Sequence, residues 1–129
     1  WHLAASPAYL EKYGTPHSLS ELPSHQCILG TSDNWKFSRN GKQEHVRVKP
    51  RLRCNSGVAL IDAALKDLGI IQLPDYYIRP YLASGELIEL LPNQQIAHEG
   101  IWAVYPPTRH LSPKIRMVID SLVAGIQNP

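Results

Sequence analysis

Apolar positions along this chain recur at two spacings, one fitting helices and the other strands, and the two kinds of segment alternate. After Asn55-Ser56, the residues Val58, Ile61, Ala64, Leu65 and Leu68 fall at helical spacing, with Leu65 facing the sheet and Gly69 placed to end the helix. Ile70, Ile71 and Leu73 follow as a short buried strand closed by Pro74. A helix leading into a short apolar strand is half of a parallel crossover. It argues for an α/β sheet with helices on both faces.

The remaining elements fit that scheme. Residues 1–5 and 27–29 read as strands, and Trp35, Phe37 and Arg39 alternate with polar neighbours as in a half-buried strand. Asn40-Gly41 is a strong hairpin signal, with residues 44–48 as the partner strand. Pro50 interrupts that partner, and 51–54 resume as an extended segment. Strands are also expected over 87–91 and 101–105. Ser6-Pro7 opens a short helix through Tyr9, Leu10 and Tyr13, stopped by Gly14 as a left-handed cap. Residues 18–22 supply one more helical turn, and 76–82 a third helix with Gly85 beyond it. The last helix opens at Ser112-Pro113 and carries Ile115, Val118, Ile119, Leu122, Val123 and Ile126 on one stripe.

Composition narrows the class. Apolar residues at 43% and charged residues at 19% of 129 support a packed core in one domain of ordinary size. Thirteen Lys and Arg against eleven Asp and Glu give a formal charge of +2, too weak a balance to make this segment a nucleic-acid binder. The basic run Arg47, Lys49, Arg51 and Arg53 reads as the solvated face of a strand. Two cysteines, Cys27 and Cys54, make no disulfide framework and read as reduced thiols of a cytoplasmic protein. No apolar run approaches the ~20 residues of a membrane span. Trp1 opens the chain without a Met or a signal-peptide pattern, which points to a piece of a longer protein.

Candidate chemistry is sparse. The six histidines form no metal-ligand spacing, and no zinc-like pattern joins them to a cysteine. His25 and Cys27 read as a turn histidine beside a small buried thiol. There is no nucleophile elbow around Ser56, no phosphate loop and no dinucleotide fingerprint. Glu86 and Glu89 read as solvated. Neither a catalytic group, a metal site nor a cofactor is expected, and the chain reads as a binding module rather than an enzyme. The helix starts at Asn55-Ser56 and Ser6-Pro7 present free N–H groups, which suit an anion where such ends gather at the carboxyl edge of a sheet. For Ser6, simple capping is favoured. For Asn55 and Ser56, capping and ligand binding stand level.

The order of segments matches a known pattern. Ala5-Ser6-Pro7-Ala8-Tyr9-Leu10 with Tyr13-Gly14-Thr15-Pro16, Trp35-Lys36-Phe37 with its Asn40-Gly41 hairpin, and Leu68-Gly69-Ile70 before Leu73-Pro74 follow in register. So do Tyr81-Leu82-Ala83-Ser84-Gly85-Glu86-Leu87, Ala103-Val104-Tyr105-Pro106 and Arg109-His110-Leu111-Ser112-Pro113-Lys114. The chain thus resembles the effector-binding domain of LysR-type transcriptional regulators, lacking the winged helix-turn-helix and the first part of the first subdomain. The resemblance implies a fold like the type II periplasmic binding proteins, with one nearly complete lobe plus a crossover strand and the C-terminal helix of the other. Residues 1–5 would end the first crossover, 6–99 form the second subdomain, and 100–129 return to the first. It implies a small effector, anionic or aromatic, in the interlobe cleft, with Asn55, Ser56, Gly57, Thr31, Ser32 and Pro74 as cleft residues. It also implies promoter DNA as a partner only through the absent domain, no membrane, and a homodimer or higher homo-oligomer. The alternative is a periplasmic-type solute-binding protein of the same fold, and a hydrolase comes third.

Overall fold

A computed structural model describes residues 1–96, 103, 104, 107 and 112–127. The chain divides into two compact units, Trp1–Glu99 and Gly100–Pro129.

Five strands of the first unit run side by side: β1 (His2–Ala5), β2 (Cys27–Leu29), β5 (Pro50–Arg53), β6 (Ile71–Leu73) and β7 (Ile88–Leu90). β1 lies between β6 and β7, antiparallel to both. β2 pairs parallel with β5, and a parallel bridge joins Cys27 to Ile70. The bonds from Ile28 N–H to the Ile70 carbonyl and from Ile70 N–H to the Gln26 carbonyl, both 2.9 Å, tie β2 to the start of β6. The strand order is therefore β5-β2-β6-β1-β7. The expected crossover is present: β5 leads into α2 (Gly57–Leu65), which returns into the parallel β6.

Side chains alternate across this sheet and build a core on each face. Leu3, Ala5, Cys27, Leu29 and Ile70 join Tyr9 of α1 (Pro7–Tyr13), Leu19 and Leu22 of the 3-10 segment Leu19–Ser24, and Trp35, Phe37 and Val48. Ala4, Ile28, Ile71 and Leu73 join α2 and α3 (Asp75–Ser84) on the other face. Ser6 caps α1, its Oγ accepting from Tyr9 N–H at 3.1 Å and donating to Asp67 at 2.6 Å. Capping, the reading favoured for Ser6, is what its side chain does.

The hairpin pairs β3 (Asn34–Arg39) with β4 (Lys42–Arg47). Asn40 and Gly41 both have positive φ, 52° and 78°, as a tight turn matching strand twist requires. Trp35 and Phe37 point inward and are buried.

Several expectations change. Pro50 does not interrupt the β4 strand but begins β5, which leaves the hairpin and pairs with β2. Gly14 closes α1 with φ 85° and ψ 162°, a positive-φ conformation open essentially to glycine rather than a left-handed helical cap. α2 stops at Leu65, before Gly69, and its buried residues are Leu60, Ile61, Ala63 and Ala64. Val58 is 71% exposed and Leu65 only partly buried. The helix meets β1, β2, β6 and also α3, so its buried arc is wider than a stripe drawn for a sheet alone and rotated away from it. Glu89 is half-buried rather than fully solvated, held by His2 and Gln95.

The second unit contributes α4 (Pro113–Gln127), with Ser112 Oγ accepting from Ile115 N–H at 3.2 Å. Ile115, Val118, Leu122, Val123 and Ile126 are exposed on it. The strand expected over 101–105 falls largely outside the described residues. Among the described residues, no helix is long and apolar enough to cross a membrane.

Candidate functional site

The three parallel strands end together. Gly30-Thr31-Ser32 follows β2, Cys54-Asn55 follows β5, and Pro74 follows β6, so these turns meet at the carboxyl edge of the sheet. α2 and α3 begin at the same edge, and antiparallel β1 starts there with Trp1. A cavity of about 340 Å³ lies among them, within the size range of small-molecule pockets. Ligands of open α/β sheets bind at this edge, where strand-to-helix turns leave backbone N–H groups without helical partners.

Five of the six residues singled out from the sequence border this cavity: Thr31, Ser32, Asn55, Gly57 and Pro74. Ser56 does not. Its Oγ accepts from Ala59 N–H at 3.4 Å as the α2 cap, and it borders a separate hollow between α2 and α3 with Val58, Leu65 and Tyr81. Ser32 is committed locally, accepting from Asn34 N–H at 3.1 Å and donating to the Asn34 carbonyl at 3.2 Å. Thr31 and Asn55 make no side-chain hydrogen bond among the described residues.

The sequence reading missed much of the wall. Trp1, Trp35, Lys36, Gln72, Tyr76 and Tyr77 also border the cavity. Gln72 offered one signal, a polar residue inside the apolar run Ile71-Gln72-Leu73. Its amide donates to the Lys36 carbonyl at 2.8 Å and accepts from Lys36 N–H at 3.2 Å, which pins β3 against β6. Arg53 does similar work on the loop after β2, donating to the Gly30 carbonyl at 3.0 Å and pairing with Asp33.

Beside the cavity, His2 bridges two carboxylates. Nδ1 meets Glu89 Oε1 at 2.6 Å and Nε2 meets Asp75 Oδ1 at 2.7 Å. Burial works against ionisation of Asp75, but the His2 and Arg79 hydrogen bonds prevail and hold its carboxyl below the ordinary value. The bridge fastens the start of α3 to β1 and β7, next to Trp1, Pro74 and Tyr76. On the far face of the sheet, burial pushes the Cys27 thiol up to about 12, so this thiol stays protonated at neutral pH. Cys54, half-buried at the cavity, is also a free thiol.

Among the described residues, nothing in this arrangement places a nucleophile beside a base. It offers an apolar recess rimmed by a few polar groups, which suits recognition.

Known proteins place the chain in a family. The family model for the LysR substrate binding domain matches residues 1–127. The HTH-type transcriptional activator TtdR of Escherichia coli (strain K12) is 34% identical over 130 residues, covering 97% of this chain and 42% of that protein. The probable HTH-type transcriptional regulator LtrA of Klebsiella pneumoniae is 34% identical over 127 residues, covering 93% and 41%. Among solved structures, the regulatory domain of CrgA, a LysR-type transcriptional regulator from Neisseria meningitidis, superposes with a TM-score of 0.69 at 33% identity, over 75% of this chain and 50% of that one. The regulatory domain of AphB in Vibrio vulnificus gives 0.68 at 26%, over 95% and 63%. The chain spans less than half the length of these two curated relatives. The mixed sheet with helices on both faces is the type II periplasmic-binding-like fold of these regulatory domains. The chain belongs to the LysR substrate-binding domain family.

Proposed function

We propose that this chain is the sensing part of a DNA-binding transcription regulator, and that a small metabolite bound in the 340 Å³ cavity controls how the whole protein acts on its promoter. The observation that carries this reading is the convergence of strand ends and two helix starts on that recess, with Thr31 and Asn55 uncommitted at its rim. The family of helix-turn-helix regulators to which the relatives belong favours this role over solute capture. A ligand shifts such a protein only if it prefers one of its states, and the coupling typically changes affinity by about 5–150-fold.

The test is the complete protein on its promoter DNA, titrated with and without a metabolite panel. One metabolite should shift the DNA-binding curve by a factor in that range. Asn55→Ala should weaken that response while the melting temperature holds. A response untouched by Asn55→Ala would move the effector elsewhere. Ser56→Ala should instead cost about 1 kcal/mol of stability as a lost cap.

The assembly reading is a homodimer or higher homo-oligomer. α4 supports it, since six large apolar residues stand exposed along one 15-residue helix, and a patch of that kind marks an interface. Exchange of the helix between two copies is a low-cost route to a symmetric dimer. Sedimentation over a concentration series should show self-association, and Leu122→Asp should abolish it. A monomer at every concentration would end this reading.

A further inference from the structure

The β3–β4 hairpin leaves one edge open. Asn40 and Gly41 form its turn, so Arg39 and Lys42 are a hydrogen-bonded pair, and bonded and non-bonded pairs alternate from there. Phe37–Glu44 and Trp35–Val46 are bonded pairs, whereas Lys36–His45 and Asn34–Arg47 are not. The Lys36 backbone agrees, since its N–H and carbonyl both turn away from β4 to the Gln72 amide. On β4 the same alternation turns the N–H and C=O groups of Gln43, His45 and Arg47 outward. Among the described residues these groups make no hydrogen bond, and all three residues are exposed. A row of donors and acceptors thus stands open along a six-residue strand.

A cleft of about 370 Å³ borders this edge. Val46 and Arg47 line it from β4, and Ser18, Ser20 and Pro23 from the 3-10 segment and its cap. No described residue borders both this cleft and the strand-end cavity. A strand added to β4 sets alternate side chains beside Gln43, His45 and Arg47, and the rest on the Val46 side.

Charge selects the guest. Arg47 and Lys49 are exposed and, among the described residues, form no ion pair. Arg39, also at the cleft, stands 3.9 Å from Glu44, the one carboxylate among the described residues that line it. Basic side chains on a free edge oppose pairing with a like edge. The two registers of fullest β4–β4 overlap set either Glu44 or His45 opposite itself, and both bring two copies of Arg47 to one seam. The same cations attract a strand that carries carboxylates.

We propose that the free edge of β4 binds an acidic, extended peptide segment of another protein, which adds a strand to the hairpin with its carboxylates beside Arg47 and Lys49. The test titrates the complete protein with a fluorescent hexapeptide of alternating Glu and Thr, read by anisotropy, against its Lys–Thr counterpart. The acidic peptide should bind and the basic one should not. N-methylation of one alternate set of peptide amides should abolish binding, and of the other set should leave it, because only one set faces β4. Arg47→Glu with Lys49→Glu should weaken the acidic peptide by about 2–30-fold, the range for two exposed ion pairs. His45→Pro removes the central outward N–H and no ladder bond, so binding should be lost while circular dichroism still reports a folded protein. Should that variant unfold, the N-methylated peptides decide alone. Equal binding of the acidic and basic peptides, or indifference to which amides are methylated, overturns the proposal. So does acidic-peptide binding unchanged by Arg47→Glu with Lys49→Glu, or none at millimolar concentration. Self-association abolished by His45→Pro, without peptide binding, assigns the edge to a second copy and overturns it as well.

Discussion

Phe37→Ala should lower the unfolding free energy of the Trp1–Glu99 unit by about 3–5 kcal/mol, the range for truncating a fully buried aromatic. Phe37 is 1% exposed on β3 and belongs to the core it shares with Tyr9, Leu22, Trp35 and Val48. Its ring is one of the main anchors of the β3–β4 hairpin on the sheet, because the hairpin's outward residues are solvated. Urea denaturation measures the loss as a lower midpoint at nearly constant slope. Two comparisons calibrate it. Leu65→Ala should fall below the roughly 2–5 kcal/mol of a fully buried leucine, since Leu65 is only partly buried. Val58→Ala, at 71% exposure, should stay within about 0.5 kcal/mol. A Phe37→Ala midpoint matching that of Val58→Ala would contradict the packing described for the hairpin.

Gly69→Ala should cost about 3 kcal/mol, the upper end of ordinary overpacking. Gly69 is buried, and a Cβ there would stand 2.5 Å from the Gln26 carbonyl oxygen, 3.1 Å from its carbon and 3.2 Å from Ile28 Cγ1. The first two are backbone atoms and cannot swing aside. Relief requires β2 to move away from the start of β6, which stretches the Ile28–Ile70 and Ile70–Gln26 hydrogen bonds. Hydrogen exchange should therefore show the Ile28 and Ile70 amides losing protection ahead of those in the β3–β4 hairpin. Gly30→Ala is the control, since a Cβ there meets only the Cys54 carbonyl, at 3.9 Å. Equal costs at the two glycines would refute the close approach as the reason for Gly69.

These two residues also mark how far the sequence alone can be read. Phe37 was legible: alternation with polar neighbours and the Asn40-Gly41 turn specify a half-buried hairpin through local chemistry. Gly69 was read as a helix stop, because a glycine after an apolar stripe carries that signal whatever the backbone opposite it does. Its actual reason is Gln26, more than forty positions earlier, and no local pattern records it. The face of α2 was misjudged for a related cause, a neighbouring helix that widens the buried arc.

The site divides the same way. Thr31, Ser32, Asn55, Gly57 and Pro74 were found because each follows a strand, and strand order alone gathers such turns at one edge. Trp1, Trp35, Tyr76 and Tyr77 come from β1's lead, β3 and α3, and only folding shows that they border one recess. The His2 bridge was invisible for the same reason, its two carboxylates lying 73 and 87 positions away.

The two cores have one more consequence, for strand alignment. Cys27 and Leu29 serve the hairpin side while Ile28 between them serves the helix side, and Leu3 and Ala5 flank Ala4 in the same manner. A strand that slid by one residue would exchange every side chain between the faces. In a sheet with one face in water, such a slip swaps buried for wet. Here it would force the Ile28 side chain into the space shaped for Cys27 or Leu29, and those two into the space left by Ile28. Both sides would be misfilled at once, so β2 is keyed twice, and misaligned chains are rejected by packing on either face during folding.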